Sequence, residues 1–275
     1  MTQIPHAGVI GNPISHSLSP KLHGHWLARY GLPGDYTALH VTEDKLEDTL
    51  RSLPTRGFVG VNVTLPHKVE VLKYADHVSD RATLIGAANT LTFKDDGRIF
   101  ADNTDGYGFM ANLRQGAPDW DPQAGPAAIF GAGGAARAII VALADAGVPE
   151  IILANRTRPK AEALRADFGP RIRVVDWVQA GSMLEDAMTV INTTSLGMKG
   201  AQPFKVSLDA LRPDAVVTDI VYNPLRTDFL ETAAAMGCVT VDGLGMLLHQ
   251  GVPGFERWFG QRPEVDEQTR RAVLE

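Results

Sequence analysis

The chain has 275 residues, of which 44% are hydrophobic and 21% are charged, proportions typical of globular proteins with buried cores. Its formal net charge of −6 argues against a general nucleic-acid or membrane-surface binder, so an anionic ligand would need a local pocket. The one cysteine, Cys238, leaves no intrachain disulfide to form and favours a reducing compartment, which we expect to be the cytoplasm.

Short apolar runs alternate with helical patterns along most of the chain, which predicts an α/β fold with parallel strands. In chain order, strands are expected at residues 7–11, 36–41, 57–64, 127–130, 151–155, 172–175, 188–192, 215–220 and 238–241. Helices are expected at residues 20–30, 134–146, 160–168 and 228–236. Residues 88–92 and 98–101, separated by a turn that ends in glycine, predict a β-hairpin instead.

We expect no metal site and no membrane span. The nearest histidine pair, His23 and His25, is two residues apart, which places the side chains on different faces of a helix. The most apolar stretch, residues 127–148, contains Arg137, Asp145 and four glycines. This composition predicts a buried strand, loop and helix rather than a helix that crosses a membrane.

The length predicts about two domains. We expect the first boundary after the hairpin, since residues 115–126 carry glycines and prolines and have the character of a linker. A second crossing is expected near residue 239, because the last helical stretches have no strand left to cover. The predicted domains are residues 1–104, completed by 239–275, and residues 105–238. The apolar side chains expected to pack back on the first domain are Met246, Leu247, Leu248, Phe255, Trp258 and Phe259.

The glycine-rich segment at residues 131–136 is the strongest motif of the second domain. It follows an expected strand and precedes an expected helix, which is the context of a dinucleotide-binding turn. Glycines allow the backbone amides to approach a pyrophosphate, and the helix N-terminus faces that charge with free N–H groups. Ala136 replaces the third glycine of the usual pattern, a substitution that the motif tolerates.

The end of the next strand indicates which dinucleotide is bound. Enzymes that bind NAD usually carry an acidic residue there, which holds the ribose hydroxyls. Here residues 153–158 contain Arg156 and Arg158, Lys160 follows, and no carboxylate is present. Arginine holds a 2′-phosphate that an acid would repel, so NADP is favoured over NAD. The alternative is that both arginines are ordinary solvated charges.

Polar clusters at strand ends of the first domain predict a substrate site. Ser19 followed by Pro20 predicts a helix N-cap, and hydroxyls at a helix N-terminus are also well placed for a carboxylate. Pro66 ends an apolar strand and leaves Lys68 at its carboxyl end, where open α/β sheets bind ligands. Residues 88–90 and 102–106 add further Asn, Thr and Asp side chains. Each cluster alone would be an ordinary turn.

These segments together resemble one known family. The sequences GNPISHSLSP, NVTLPHK, AANT, DNTDG, GAGGAAR, NRT, NTTSLGM and DGLGMLLHQ stand in the order and spacing of the shikimate dehydrogenases, from about residue 11 to 250. The resemblance implies an N-terminal α/β substrate domain, a Rossmann-type NADP-binding domain with a cleft between them, and a C-terminal helix that returns to the first domain. It also implies reversible reduction of 3-dehydroshikimate to shikimate, in chorismate and aromatic amino acid biosynthesis.

The resemblance also implies roles for individual residues. Lys68 would be catalytic and paired with Asp105, transferring a proton or stabilising alkoxide charge. The residues implied for the substrate are Ser17, Ser19, Asn62, Thr64, Asn89, Asp105, Tyr222 and Gln250. Those implied for the cofactor are Asp80, Gly131, Ala132, Gly133, Gly134, Ala135, Asn155, Arg156, Thr157, Arg158, Lys160, Thr193, Ile220 and Gly243. Asp80 is equally well explained as a residue that starts a helix, and His249 as a packing residue.

Three alternatives differ in the residues that they need. A broader quinate/shikimate dehydrogenase that also uses NAD would be favoured by an acid after the second Rossmann strand, where residues 155–157 have none. A non-catalytic NADP-binding sensor would be indicated by loss of Lys68 or Asp105, and both are present. A folate-type dehydrogenase would give no reason for Ser17 and Ser19. We expect a monomer or homodimer with a small-molecule substrate.

Overall fold

A computed structural model describes residues 4–275 and divides into two compact units. The first unit comprises the chain up to Asp105 together with Leu248–Glu275, and the second comprises Gly106–Leu247. The expectation of an α/β fold is confirmed, because each unit is built on a β-sheet with helices in its crossover connections. No helix among residues 4–275 is long and apolar enough to cross a membrane.

The first unit contains a mixed sheet with the strand order β2-β1-β3-β5-β6-β4. Its strands are β1 (His6–Gly11), β2 (Asp35–His40), β3 (Phe58–Val63), β4 (His77–Val78), β5 (Thr90–Phe93) and β6 (Ile99–Asp102). Its first helices are α1 (Ser19–Tyr30), α2 (Leu46–Ser52) and α3 (Asp80–Ile85), with 3₁₀ turns at Glu43–Lys45, Pro54–Arg56 and Glu70–Tyr74. The predicted hairpin is confirmed, since β5 and β6 pair antiparallel. The hairpin is what makes the sheet mixed.

Aromatic side chains fix the first unit around the middle of its sheet. The ring of Trp26 on α1 packs edge-on against Phe255 with ring centroids 5.3 Å apart. The indole N–H of Trp258 donates to the carbonyl of Leu91 on β5 at 3.1 Å. Gly60 on β3 lies under this indole, where a Cβ would stand 1.9 Å from its nitrogen. A glycine is therefore required for the tryptophan to reach the strand.

The second unit contains a parallel sheet with the strand order β12-β11-β10-β7-β8-β9. Its strands are β7 (Ala127–Phe130), β8 (Ile151–Ala154), β9 (Ile172–Val175), β10 (Thr189–Asn192), β11 (Val216–Asp219) and β12 (Val239–Val241). Its helices are α4 (Asp105–Gly116), α5 (Gly134–Ala146), α6 (Arg158–Phe168) and α7 (Asp228–Ala235), with a 3₁₀ stretch at Trp177–Leu184. Two further helices follow, α8 (Leu244–Phe259) and α9 (Glu267–Leu274). The order reverses beside β7, as in Rossmann folds.

Both faces of this second sheet are buried, which explains its short, uniformly apolar strands. On β7, Ile129 belongs to one hydrophobic cluster and Phe130 to another, because successive strand residues point to opposite faces. The first cluster includes Leu113 of α4 and Ile139 of α5, and the second includes Phe229 of α7. The helices thus cover a sheet whose strand ends are left to carry polar loops.

The predicted position at which the chain returns from the second domain to the first is wrong. The division lies between Leu247 and Leu248 rather than at residue 239, because β12 pairs with β11 and so belongs to the second sheet. Met246 accordingly packs in the hydrophobic cluster of the second unit instead of on the first. The segment predicted to be a linker also begins too early, because α4 continues to Gly116.

The predicted N-cap of α1 is also wrong. The helix includes Ser19 as its first residue, its N-cap position is held by Leu18, and the side chain of that residue forms no capping bond. The hydroxyl of Ser17 instead accepts a hydrogen bond from the peptide N–H of Ser19 at 3.3 Å. The two serines still lie together at the start of the helix, followed by Pro20 within its first turn.

Candidate active site

An ion pair between Lys68 and Asp105 lies at the centre of the polar site in the first unit. The lysine Nζ is 2.7 Å from Oδ2 of the aspartate, and the two side chains are 26% and 9% exposed. Lys68 lies beyond the carboxyl end of β3, and its carbonyl accepts a hydrogen bond from Ala88 N at 2.8 Å. Asp105 is the first residue of α4, where a carboxylate faces the positive end of the helix dipole.

Asn89 completes the coordination of this carboxylate. Its side-chain N–H₂ donates to Oδ1 of Asp105 at 2.8 Å and to Oε1 of Gln250 at 3.2 Å. Its amide oxygen accepts from the peptide N–H of Thr104 at 2.8 Å. Both carboxylate oxygens of Asp105 are therefore bonded, one to an ammonium and one to an amide. Three residues expected to bind the substrate, Asn89, Asp105 and Gln250, are thus brought into one network with Lys68.

The remaining expected substrate residues of the first unit lie on β3, directly after β3 and at the start of α1. Asn62 on β3 is buried and donates from its side chain to the carbonyl of Asn89 at 3.2 Å. Thr64 follows β3, and its methyl group lies against Gly11, where a Cβ would stand 2.5 Å away. Ser17 and Ser19 lie at the start of α1. Tyr222 belongs to the second unit, where burial raises the pKa of its phenol.

The glycine turn of the second unit has the shape that a phosphate group needs. Gly131 has a φ of 109°, and a Cβ there would meet the hydroxyl of Thr193 at 2.6 Å. A Cβ at Gly133 or Gly134 would meet nothing within 4 Å, so the backbone is open on that side. Helix α5 begins at Gly134. Its N-cap residue is Gly133, which has no side chain to accept hydrogen bonds from the first N–H groups of the helix. These donors are available to an anion.

The cationic residues after β8 differ in how they are held. Arg158 is bound by two carboxylates, Glu162 at 3.0 Å and Asp176 at 2.5 Å. Arg156 instead lines a cavity of about 860 Å³ whose other walls include Trp177 and Leu196.

Lys205, which the sequence analysis did not single out, lines the same cavity. Among the residues that the structure describes, no carboxylate does so. Arg156 and Lys205 therefore give this cavity a positive lining.

Other predicted cofactor residues are placed by backbone contacts. Asn155 donates from its side chain to the carbonyl of Thr157 at 2.8 Å, and Lys160 follows within α6. Gly243 lies so close to Ile220 that a Cβ would stand 2.4 Å from the Ile220 carbonyl. Ala132 lies between Gly131 and Gly133 of the turn, and Ala135 follows Gly134. Asp80 lies apart from this set, in the first unit, where it begins α3.

Asp219, at the end of β11, is a buried carboxylate that the sequence analysis missed. It accepts hydrogen bonds from the side-chain amide of Asn192 at 3.0 Å, the hydroxyl of Thr227 at 2.7 Å and the peptide N–H of Val221 at 2.9 Å. Burial raises its pKa to about 6, and these three donors only partly oppose that effect. The oxygen of the Asn192 amide also accepts from Thr194, so the loops after β10 and β11 share one anchor.

The sheet order, the glycine turn and the lysine–carboxylate site together define a two-unit α/β protein of the dinucleotide-dependent dehydrogenase class. Among residues 4–275 there is no group of three or more His, Cys, Asp and Glu side chains that could hold a metal ion.

Comparison with family models identifies the class more closely. The shikimate dehydrogenase substrate binding domain matches residues 9–91, shikimate / quinate 5-dehydrogenase matches residues 121–199, and the shikimate 5′-dehydrogenase C-terminal domain matches residues 243–274. A curated NADP(+) shikimate dehydrogenase of Cereibacter sphaeroides is 67% identical over 100% of this chain and 98% of its own length. The chain belongs to the shikimate dehydrogenase family.

Two solved structures illustrate the range of similar proteins. A shikimate 5-dehydrogenase of Thermus thermophilus, in complex with NADP(H) and shikimate, has a TM-score of 0.88 and 36% identity, with 98% of each chain covered. A quinate dehydrogenase of Corynebacterium glutamicum, in complex with NAD, has a TM-score of 0.90 and 30% identity, again with 98% of each chain covered. The fold is therefore common to dehydrogenases described with either cofactor.

The raised pKa of Asp219 gives a testable pH dependence of stability. Its value of about 6, against 3.8 in water, means that the folded chain binds a proton between these pH values and the unfolded chain does not. Protonation should therefore stabilise the fold as pH falls from about 7 to about 4, by roughly 2 to 3 kcal/mol relative to Asp219→Asn.

The free energy of unfolding, measured in urea from pH 4 to 8 for wild type and Asp219→Asn, checks this difference. Asp145→Asn, which removes one exposed carboxylate of the same unit, controls for the change in net charge. Parallel curves for wild type and Asp219→Asn would mean that burial does not perturb this carboxyl group.

Proposed function

We propose that this chain is an NADP-dependent oxidoreductase that interconverts shikimate and 3-dehydroshikimate. The observation that carries the proposal is the Lys68–Asp105 ion pair at 2.7 Å, held by Asn89 within a buried amide network. This arrangement stands in a chain that is 67% identical to a named NADP(+) shikimate dehydrogenase over its whole length. A lysine next to the reacting oxygen and a fixed set of amides and hydroxyls suit a polyhydroxylated substrate.

The second unit has the features that NADP needs. The open glycines and the uncapped N-terminus of α5 suit a pyrophosphate. Arg156 and Lys205 give the cavity beyond β8 a positive lining, which suits the additional phosphate of NADP rather than NAD. When bound, the nicotinamide supplies or accepts the hydride at the carbon of the reacting ring. Ile220, Gly243 and the residues around Thr193 complete the proposed cofactor site.

The side chains of the first unit perform the proton chemistry and hold the ring. Lys68 Nζ exchanges a proton with the reacting oxygen, giving it when the ketone is reduced and taking it when the alcohol is oxidised. Asp105 keeps the amine in place through its Oδ2 atom, and its own orientation is fixed by Asn89. Gln250 and Thr64 supply further polar groups for ring hydroxyls.

Ser17 and Ser19 are assigned to the substrate carboxylate. They lie at the N-terminus of α1, where hydroxyl donors and the helix dipole both favour an anion. Tyr222 and Asn62 complete the proposed substrate set. We assign Asp80, at the start of α3, to the proposed cofactor set. We also propose a cytoplasmic location and a monomer or homodimer that acts on a small-molecule substrate.

Steady-state oxidation of shikimate and quinate, each with NADP and NAD, tests this function through the absorbance of the reduced cofactor. We expect kcat/KM to be highest for shikimate with NADP by at least about tenfold, because hydrogen-bonding sites discriminate strongly against a mismatched ligand. Comparable values with quinate or NAD would assign the chain to a broader quinate/shikimate activity. Absence of turnover with all four pairs would refute the proposed reaction.

Replacement of the catalytic amine should abolish most turnover. Lys68→Ala removes the group that exchanges the proton, so kcat at saturating shikimate should fall at least about 100-fold. Lys73→Ala is the matched control, since Lys73 is 68% exposed and pairs with Glu70 on the neighbouring 3₁₀ turn. It should leave kcat within about twofold. Near-normal turnover of Lys68→Ala would remove this lysine from the mechanism.

The proposed phosphate contact predicts a selective loss of NADP affinity. Arg156→Ala should raise the KM for NADP by about tenfold or more and leave that for NAD nearly unchanged, because only NADP carries the additional phosphate. Arg158→Ala should have a smaller effect, since two carboxylates already hold its guanidinium.

Arg165 is exposed on α6, the helix that follows Arg156, and Arg165→Ala is the control for the lost positive charge. An equal rise in the KM of both cofactors for Arg156→Ala would contradict phosphate recognition by this residue.

A further inference from the structure

Tyr36 on β2 is a buried residue that the proposed mechanism does not use. The residue is 7% exposed, and its hydroxyl donates to Oδ1 of Asn62 at 2.7 Å. Burial raises the pKa of this phenol well above 10, and a hydrogen bond from Ser19 opposes the rise only in part. The hydroxyl therefore stays protonated and remains a donor at neutral pH. Through Oδ1 of Asn62 it contacts a residue assigned to the substrate.

The ring of Tyr36 is held by a stacked histidine. The rings of His23 and Tyr36 lie 3.9 Å apart at an interplanar angle of 7°. Neither ring nitrogen of His23 has a hydrogen-bond partner within residues 4–275, and complete burial lowers its pKa to about 3. This histidine is thus a neutral, flat packing partner. Its stacking leaves the tyrosine ring little freedom to move its hydroxyl away from Asn62.

The hydroxyl of Tyr36 determines which way the Asn62 amide is turned. With Oδ1 accepting from Tyr36, the amide N–H₂ group donates to the carbonyl of Asn89 at 3.2 Å and to the hydroxyl of Thr90 at 3.3 Å. A flipped amide would direct its oxygen at the Asn89 carbonyl, and two acceptors would then face each other. With Tyr36 as a donor, every polar atom of the Asn62 amide has a hydrogen-bond partner in the observed orientation.

The same directional order continues to the catalytic pair. Thr90 has one hydroxyl proton, and having accepted from Asn62 it donates to Oδ1 of Asn89 at 3.0 Å. The N–H₂ group of that amide then donates to Asp105 at 2.8 Å, and Asp105 binds Lys68 at 2.7 Å. Each step uses a donor on one side and an acceptor on the other. Reversal of any amide would leave a buried polar atom unpaired, which is costly.

We propose that Tyr36 is a positioning residue for the substrate, acting through the orientation of Asn62 and Asn89. It touches neither the substrate nor the cofactor. The inference rests on the proposed shikimate dehydrogenase function and adds to it a buried residue that sets substrate affinity. A purely structural role would instead make the hydroxyl matter for folding stability and for nothing else.

Tyr36→Phe removes the hydroxyl and keeps the stacked ring. The KM for shikimate should rise about tenfold, because the amide of Asn62 loses its fixed orientation. The KM for NADP should stay within about twofold, since no residue of the second unit is in the chain of hydrogen bonds, and kcat should fall less than about threefold. The split between the two KM values is the readout that a general loss of stability would not produce.

Tyr30→Phe is the matched control in the same unit. The Tyr30 hydroxyl also makes a hydrogen bond, accepting from Glu264 N at 3.0 Å, but it lies outside the chain that leads to Asp105. This variant should leave both KM values unchanged. Melting temperatures of the two variants show whether each folds, so that a kinetic difference can be assigned to the hydroxyl of Tyr36.

A double-mutant cycle with Asn62→Ala tests the route. If Tyr36 acts through this amide, the rise in shikimate KM caused by Tyr36→Phe should shrink to about threefold or less in the Asn62→Ala background. Full additivity would overturn the proposed route. An unchanged shikimate KM for Tyr36→Phe, or an equal rise in both KM values, would overturn the positioning role itself.

Wild-type turnover, measured in the same assay, separates this inference from the function on which it rests. An active wild type with a kinetically normal Tyr36→Phe variant would overturn the inference alone. An inactive wild type would overturn both.

Discussion

The structure of the first unit depends on keeping a half-buried ion pair between Lys68 and Asp105 fully bonded. A charge removed from water costs free energy unless a partner and further hydrogen bonds replace its solvation. Here the ammonium satisfies one carboxylate oxygen and Asn89 satisfies the other. Asn89 directly precedes β5 and Asp105 begins α4, so the starts of these two elements bring the amide and the carboxylate together beside Lys68.

Each buried side chain that bonds to the ion pair needs hydrogen-bond partners of its own. The network therefore extends from Asp105 through Asn89 and Thr90 to Asn62 and Tyr36. Asn89 is oriented by Thr90 and by the peptide N–H of Thr104, and Asn62 in turn donates to Thr90. The chain of donors ends only at a phenol, which needs no acceptor other than the one it has. Polar groups of this kind specify a single arrangement, whereas an apolar core of equal volume would tolerate several.

The sequence alone predicts those features that depend on residues close together along the chain. The glycine turn at residues 131–136, the bounds of α5 and the hairpin could all be predicted, because spacing and turn residues determine them. The role of Tyr36 could not, since Tyr36 and Asn62 lie on different strands and meet only when β1 pairs between β2 and β3. The second crossing was predicted too early because nothing local shows which sheet a three-residue strand such as β12 will join.

Two buried carboxylates at strand ends have pKa values shifted in opposite directions, because their hydrogen-bond partners differ. Asp102 ends β6 and Asp219 ends β11, and each is 1% exposed. Burial tends to raise the pKa of both, but at Asp102 the guanidinium groups of Arg257 and Arg81 and the hydroxyl of Ser79 outweigh it and the pKa is lowered. Asp219 has neutral donors, so its pKa rises to about 6. Asp102 therefore remains a fixed charge that anchors the strand leading to Asp105. The loops after β10 and β11 share instead a carboxyl group that takes up a proton under mildly acidic conditions. Protonation of Asp219 therefore favours the folded state in the same pH range in which Asp102 keeps its charge.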